Sequence, residues 1–264
     1  MTPHAPDRDH DPASANAQTR PTPDAPSLSG RLVVVFGGSS GIGLAVARGA
    51  RARGARVVAV SRDRARLEAA ARAVDGLETA VADIADESHV AAFFRDLGAL
   101  DHLVVTAGAV VPPSALGKLD FAAARAAWDT KLMGSLHAVK HAAPRLRAGG
   151  SIGLTSGMLG RRVQANAIVK TVINAGLEAA VRQLARELAP LRVYGVSPGP
   201  VDTPNWGPLP EAERRAKFEK FAATLPVGFV ATPDDTAAAY LFAMEARALT
   251  GTVIDLDGGA MVAT

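Results

Sequence analysis

The chain has 264 residues, 48% of them apolar, which is enough for one large domain with a well-buried core. It contains no cysteine, and this excludes a disulfide framework, a thiolate nucleophile and a cysteine zinc site. Its net charge of +3 comes from 29 basic against 26 acidic residues spread along the chain, without the basic runs and interleaved aromatics of a nucleic-acid groove.

Residues 1–29 hold six of the 17 prolines and almost no large apolar side chain, so they are expected to form a disordered tail. They also lack the apolar core of a secretory leader, and no run of about 18 apolar residues follows to span a membrane. The expectation is a cytoplasmic protein that works on a small molecule, with no membrane and no nucleic acid.

From residue 31 short β-branched runs alternate with Ala-rich amphipathic ones: "RLVVVFGG", "IGLAVARGARARG", "ARVVAVSR", "RARLEAAARAV", "ETAVADI", "ESHVAAFFRDLGAL" and "DHLVVTAG". The alternation continues through "FAAARAAWDTKLMGSLHAVKHAAPRL", "GSIGLTSG", "VINAGLEAAVRQLARELAP", "LRVYGVSPG" and "GTVIDLDGG". Strand and helix in strict alternation predict parallel strands joined by crossover helices. The fold class is therefore α/β: a Rossmann-type doubly wound sheet in three αβα layers, one domain over residues 30–264. Only 204–230 breaks the rhythm, with prolines around a short helical piece.

The first strand, Leu32 to Phe36, runs into "GGSSGIG" and then a helix. Gly37 permits the turn, Gly41 lets a pyrophosphate approach the backbone, and Gly43 packs helix on strand, so Gly37, Ser39, Ser40, Gly41, Ile42 and Gly43 are candidate dinucleotide-binding residues. At the tip of the second strand stand Ser61 and Arg62, a hydroxyl and a guanidinium suited to the extra phosphate of NADP(H). Asp63, one residue on, is the carboxylate that would suit NAD instead. Further along, "VKTVINAGL" places Lys170 and Asn174 four residues apart on one helix face, where an apolar helix has little use for them.

The G-x3-G-x-G spacing resembles the short-chain dehydrogenase/reductase family, although the usual Thr before the first Gly is Phe36. "VTAG", "GSIGLTSG", "VSPGPVDT" and "TGTVIDLDGG" fall in the family's order, and the resemblance spans about residues 30–264. It implies that Asp83 and Ile84 flank the adenine and that Ala107 and Gly108 lie beside the adenosine. Pro198, Gly199, Val201 and Thr203 would hold the nicotinamide end.

The resemblance also implies a catalytic Tyr acid and a Lys four residues later that lowers its pKa. An upstream Ser, about 13 residues before the Tyr, steadies the substrate oxygen, and an Asn on the preceding helix holds a water. Here Lys170 takes the Tyr slot, Asn174 the Lys slot and Lys131 the Asn slot, while Ser156 falls within one residue of the Ser slot. The two tyrosines, Tyr194 and Tyr240, are followed four residues later by Pro198 and Met244, so no Tyr-x3-Lys exists.

Two functions follow. One is an NADP(H)-dependent oxidoreductase of a carbonyl, enone or imine, in which Ser156 orients the substrate, Asn174 bonds the ribose and either Lys170, with its pKa depressed by burial and Lys131, or a water gives the proton. The other is a non-catalytic NADP(H)-binding protein whose Lys170 merely snorkels to solvent. His137 and His141 have metal-ligand spacing but no third ligand nearby, and no metal is expected. Arg161 and Arg162 could meet an acidic substrate. Residues 204–226, with Trp206, Phe218 and Phe221, correspond to the family's substrate lid. A homodimer or homotetramer built on the helices of 121–147 and 165–189 is the implied assembly.

Overall fold

β-Branched runs bounded by glycine-rich turns become strands, and the Ala-rich amphipathic runs between them become helices. The computed structural model describes residues 27–207 and 209–263. In chain order the main elements are β1 (Leu32–Phe36), α1 (Gly41–Ala52), β2 (Arg56–Ser61), α2 (Arg64–Ala73), β3 (Glu78–Val81), α3 (Glu87–Leu97) and β4 (Leu100–Val105). There follow α4 (Phe121–Trp128), α5 (Gly134–Ala142), β5 (Leu146–Thr155), α6 (Ile168–Glu187), β6 (Arg192–Pro198), α7 (Glu211–Ala222), α8 (Pro233–Glu245) and β7 (Val253–Leu256).

The seven strands pair in the order β3-β2-β1-β4-β5-β6-β7, every pair parallel, with Val35 opposite Ala59 on one side and Val104 on the other. β1 is buried throughout because helices cover both faces. Its side chains split by parity. Val33 and Val35 face a core shared with α1 and α8, whereas Leu32, Val34 and Phe36 face a core shared with α3, α5 and α6.

Three features depart from expectation. The helix α8 was not anticipated, although its start carries a capping box: Thr232 accepts from Asp235, Asp235 accepts from the Thr232 backbone, and Pro233 opens the first turn. The tail expected over 1–29 lies outside the described residues as far as residue 26. At its end, Leu28 is buried and its N–H donates to the Arg53 carbonyl at 3.0 Å, so ordered packing begins before residue 30. Finally, the long helix expected after residue 121 is interrupted by a π-helical turn over Asp129–Met133. Among the described residues no helix is long and apolar enough to cross a membrane.

Candidate active site

The order of the sheet reverses between β1 and β4, and the loops leaving their carboxyl ends diverge to opposite faces. A cleft of about 770 Å³ opens there, and every residue singled out from the sequence for cofactor or catalysis lines it. Gly37 turns the chain with φ +85°, and a Cβ on it would lie 2.6 Å from the Ala107 nitrogen. A Cβ on Gly43 would lie 2.2 Å from the Gly37 carbonyl oxygen, so this turn closes only with glycine. Asp63, Asp86, Asp120 and Thr232 cap α2, α3, α4 and α8 with their side chains, but Ser40 makes no such bond at α1. The first N–H groups of α1 are thus left to face the cleft, which suits a pyrophosphate.

At one end of the cleft stand Ser61, Arg62, Asp83 and Ile84. The Ser61 hydroxyl accepts from the Asp63 N–H at 3.3 Å, and Arg62 reaches Asp83 at 3.8 Å while remaining largely exposed. Asp63 is committed elsewhere. It accepts from the Arg66 N–H at the start of α2 and pairs with the Arg66 guanidinium at 3.2 Å.

At the other end the π-helical turn carries Lys131 inward. Its ammonium donates to Asn174 Oδ1 at 2.7 Å and to the Ser156 carbonyl at 2.9 Å. Burial and the Lys170 ammonium together push its pKa down to about 8. Lys170 is half-buried, and burial lowers its pKa too. Lysines 131 and 170 therefore do come together, as expected, but the one shifted most strongly is Lys131. Two of the three Lys131 N–H donors are occupied, and Lys170 makes no hydrogen bond or ion pair within the described chain.

Ser156 is at the cleft but not as expected. Its hydroxyl is buried and donates inward, to Glu178 Oε1 at 3.0 Å and the Asn174 carbonyl at 3.2 Å. The residue placed where the family spacing puts the Ser is Gly157, where a Cβ would meet Asn174 Nδ2 at 2.9 Å. Glu178 and the Asn174 carbonyl engage the Ser156 hydroxyl, the group expected to orient the substrate, at the wall of the cleft. The signal for Glu178 was a carboxylate on the apolar face of α6, unexplained by an Ala- and Leu-rich helix. Neither tyrosine reaches the cleft: both are fully buried, and the Tyr240 hydroxyl lies 2.6 Å from Thr155 Oγ1.

Arg161 pairs with Glu178 and Asp255, and Arg162 donates to the Ala260 carbonyl at 2.6 Å, so these arginines are engaged by the protein itself. His137 lies 3.2 Å from the Ile84 carbonyl and His141 3.0 Å from Glu87, two separate partners. Among the described residues there is no group of three side chains able to hold a metal ion.

From the end of β6, Pro198, Gly199, Val201 and Thr203 line the cleft, with the Thr203 methyl 3.3 Å from where a Cβ on Gly41 would lie. The segment expected as a lid consists of a 3-10 turn over Pro204–Trp206 and then α7. Trp206 donates to the Val201 carbonyl at 2.7 Å and packs at a tilt against Phe221 and edge-to-face against Phe218, at 5.3 and 5.8 Å between ring centres. Lys217, which the sequence analysis did not single out, sits 4.6 Å above the Trp206 ring and lines the cleft.

A family model described as enoyl-(acyl carrier protein) reductase matches residues 37–261. A short-chain dehydrogenase/reductase of Stachybotrys chlorohalonatus is 34% identical over 255 residues, covering 90% of this chain and 99% of its own. The chain belongs to the short-chain dehydrogenase/reductase family. It is an oxidoreductase of that family whose Tyr-x3-Lys pair is absent. Another relative, the cis-4-hydroxycyclohexanecarboxylate dehydrogenase of Sinomonas cyclohexanicum, is 35% identical over 242 residues, with 87% of this chain and 96% of the relative covered. Among solved structures, a small-chain dehydrogenase in complex with NADPH superimposes with a TM-score of 0.77 at 40% identity, covering 88% of this chain and 99% of that one.

Proposed function

We propose that the protein is an NADP(H)-dependent reductase of a carbonyl, enone or imine in which Lys131, rather than a tyrosine, meets the oxygen or nitrogen that gains charge. The observation that carries this is the Lys131 ammonium, fixed by Asn174 Oδ1 and the Ser156 carbonyl in the wall of the cleft, beside a second ammonium.

The residues present fit a dinucleotide. Gly37 and Gly43 let the loop close tightly against Thr106 and Ala107, and the uncapped start of α1 offers N–H groups to a pyrophosphate. Ser61 and Arg62 suit a 2′-phosphate, while Asp63, capping α2, is withdrawn from a ribose hydroxyl. NADPH, when bound along the cleft, supplies a hydride at its nicotinamide end.

The chain does the rest electrostatically. The third N–H of Lys131 and the free ammonium of Lys170 stabilise negative charge on a substrate oxygen. A lysine at about 8 is acidic enough to hand that oxygen a proton near neutral pH. Asn174 has no charge to give, but its Oδ1 holds the Lys131 ammonium in place. Trp206 and Phe221 of the lid segment wall the site against water.

The test is NADPH oxidation followed at 340 nm across ketones, quinones, enones and cyclic imines, with binding of NADPH measured separately. Turnover that Lys131→Met abolishes supports the proposal. Binding without turnover on any of them leaves a nucleotide-binding protein without catalysis.

The oligomer is read from the surface. Phe121, Trp128 and Met133 of α4 and the π-helical turn, with Ile168 and Val172 of α6, are exposed apolar side chains on the two long helices, as a face closed by a second copy requires.

A further inference from the structure

Gly157 carries no side chain into the cleft, and an amide borders the space it leaves. A Cβ on Gly157 would lie 2.9 Å from Asn174 Nδ2, and Gly157, Asn174 and Lys131 all line the cleft. The neighbouring hydroxyl, on Ser156, is engaged by Glu178 Oε1 and the Asn174 carbonyl.

Chemistry decides which end of the amide faces Gly157. The Lys131 ammonium carries only donors, so the Asn174 atom 2.7 Å from it is the acceptor, Oδ1. Nδ2, with two N–H groups, is thereby turned toward Gly157. The Asn174 side chain sits in a residue that is 6% exposed, and its Nδ2 donates to no group among the described residues. Such a donor is costly to leave without an acceptor. It is not sealed in, because among the described residues the Ser197 hydroxyl is the one fully buried side-chain atom without a partner, so Nδ2 stays open to the cleft that Asn174 lines.

The two ends of one amide are about 2.3 Å apart, so Nδ2 and the Lys131 nitrogen are separated by at most about 5 Å. One oxygen can therefore lie within hydrogen-bond distance of both.

We infer that Asn174 is a catalytic residue of the reductase: its Nδ2–H donates to the substrate oxygen that gains charge, in the space left by Gly157 and beside the third N–H of Lys131. The inference rests on the reductase reading above. Asn174 transfers no proton. Its two ends serve separate partners, Oδ1 fixing the Lys131 ammonium and Nδ2 holding the substrate oxygen, and the first bond aims the second before the substrate arrives.

The experiment titrates para-nitrophenolate, an oxyanion on a flat ring, onto the isotope-labelled full chain with and without NADP+. NMR follows the Asn174 side-chain NH2 pair, identified by its loss in Asn174→Asp. One of its two protons is expected to move downfield as the probe binds. Asn174→Ala, which removes the donor without adding charge, should bind the probe about tenfold more weakly or worse. Gly157→Ala, whose Cβ would press on Nδ2, identifies the same resonance and also weakens the probe if the Asn174 variants do not fold. A probe that binds with the amide pair unmoved, a probe that does not bind at all, or an affinity unchanged in both alanine variants each overturns the inference. NADPH binding and oxidation are read on the same samples. An unmoved amide in a protein that oxidises NADPH overturns the role of Asn174 alone, whereas failure to bind NADPH overturns the reading it rests on.

Discussion

The Lys131 ammonium lies 2.7 Å from the Asn174 side-chain oxygen, joining the π-helical turn after α4 to the first turns of α6. The resemblance places an Asn at the first position and a Lys at the second, so the two residue types have changed places. The exchange keeps one ammonium and one amide at the base of the cleft and reverses which helix supplies each.

Exchanging them back gives a direct test. Asn174→Lys alone removes the acceptor and sets a further ammonium, beyond that of Lys170, against Lys131, at a cost of about 2–4 kcal/mol. Lys131→Asn alone withdraws the donor from Asn174 Oδ1 and the Ser156 carbonyl and costs about 1–3 kcal/mol. The double variant is expected to recover about 1–3 kcal/mol relative to the sum, measured by urea denaturation. Simple additivity would show that the positions do not share one site.

Stability should depend on pH through Lys131. Its pKa is lowered to about 8 in the folded chain, against about 10.4 for a free lysine. Between those values the unfolded chain holds a proton that the folded chain has released, so stability rises with pH across that window. Partial access to solvent limits the gain to about 1–2 kcal/mol. Denaturation of wild type and Lys131→Met at pH 7 and at pH 10.5 isolates it, since only the wild type has this rise. In turnover, the same group acting as an acid predicts a kcat that falls above about pH 8.

Arg62 should set cofactor choice. It reaches only Asp83, at 3.8 Å, and is otherwise free to meet a phosphate. Arg62→Ala is expected to weaken NADPH about 10- to 100-fold while leaving NADH within a few-fold, read by fluorescence titration. Equal losses for both nucleotides would place the 2′-phosphate elsewhere.

Gly43→Ala should disable the nucleotide loop. The new Cβ would fall 2.2 Å from the Gly37 oxygen and 2.4 Å from Thr106 Oγ1, neither of which is the end of a long flexible side chain. A loss of about 2 kcal/mol or more in stability, together with loss of NADPH binding, is expected from thermal denaturation and titration. Near-normal binding would mean that the turn can open without consequence.

The apolar face of α4 and α6 should govern assembly. Trp128→Glu with Ile168→Glu is expected to shift the mass in solution, measured by light scattering, from an oligomer to a monomer. A wild type already monomeric at micromolar concentration removes the proposal.

The sequence by itself determined the sheet, the phosphate loop and the absence of the usual catalytic pair. These are properties of local pattern. β-Branched runs, helical periods and glycines at one strand-to-helix turn are written in consecutive residues, and a missing Tyr-x3-Lys can be read without coordinates. It also carried an unused signal for α8, in the Thr232 and Asp235 capping box. Only the tertiary structure decided which groups meet. Ser156, expected from spacing to orient a substrate, has its hydroxyl engaged by Glu178, one face of a helix away. Lys131 looked like a helper of Lys170 until a π-helical turn carried it onto Asn174, leaving Lys131 with the more depressed pKa. The physical reason is that a side chain's direction and its desolvation depend on partners distant in sequence. Spacing fixes which residues approach a site, while packing fixes which of them carry charge into it.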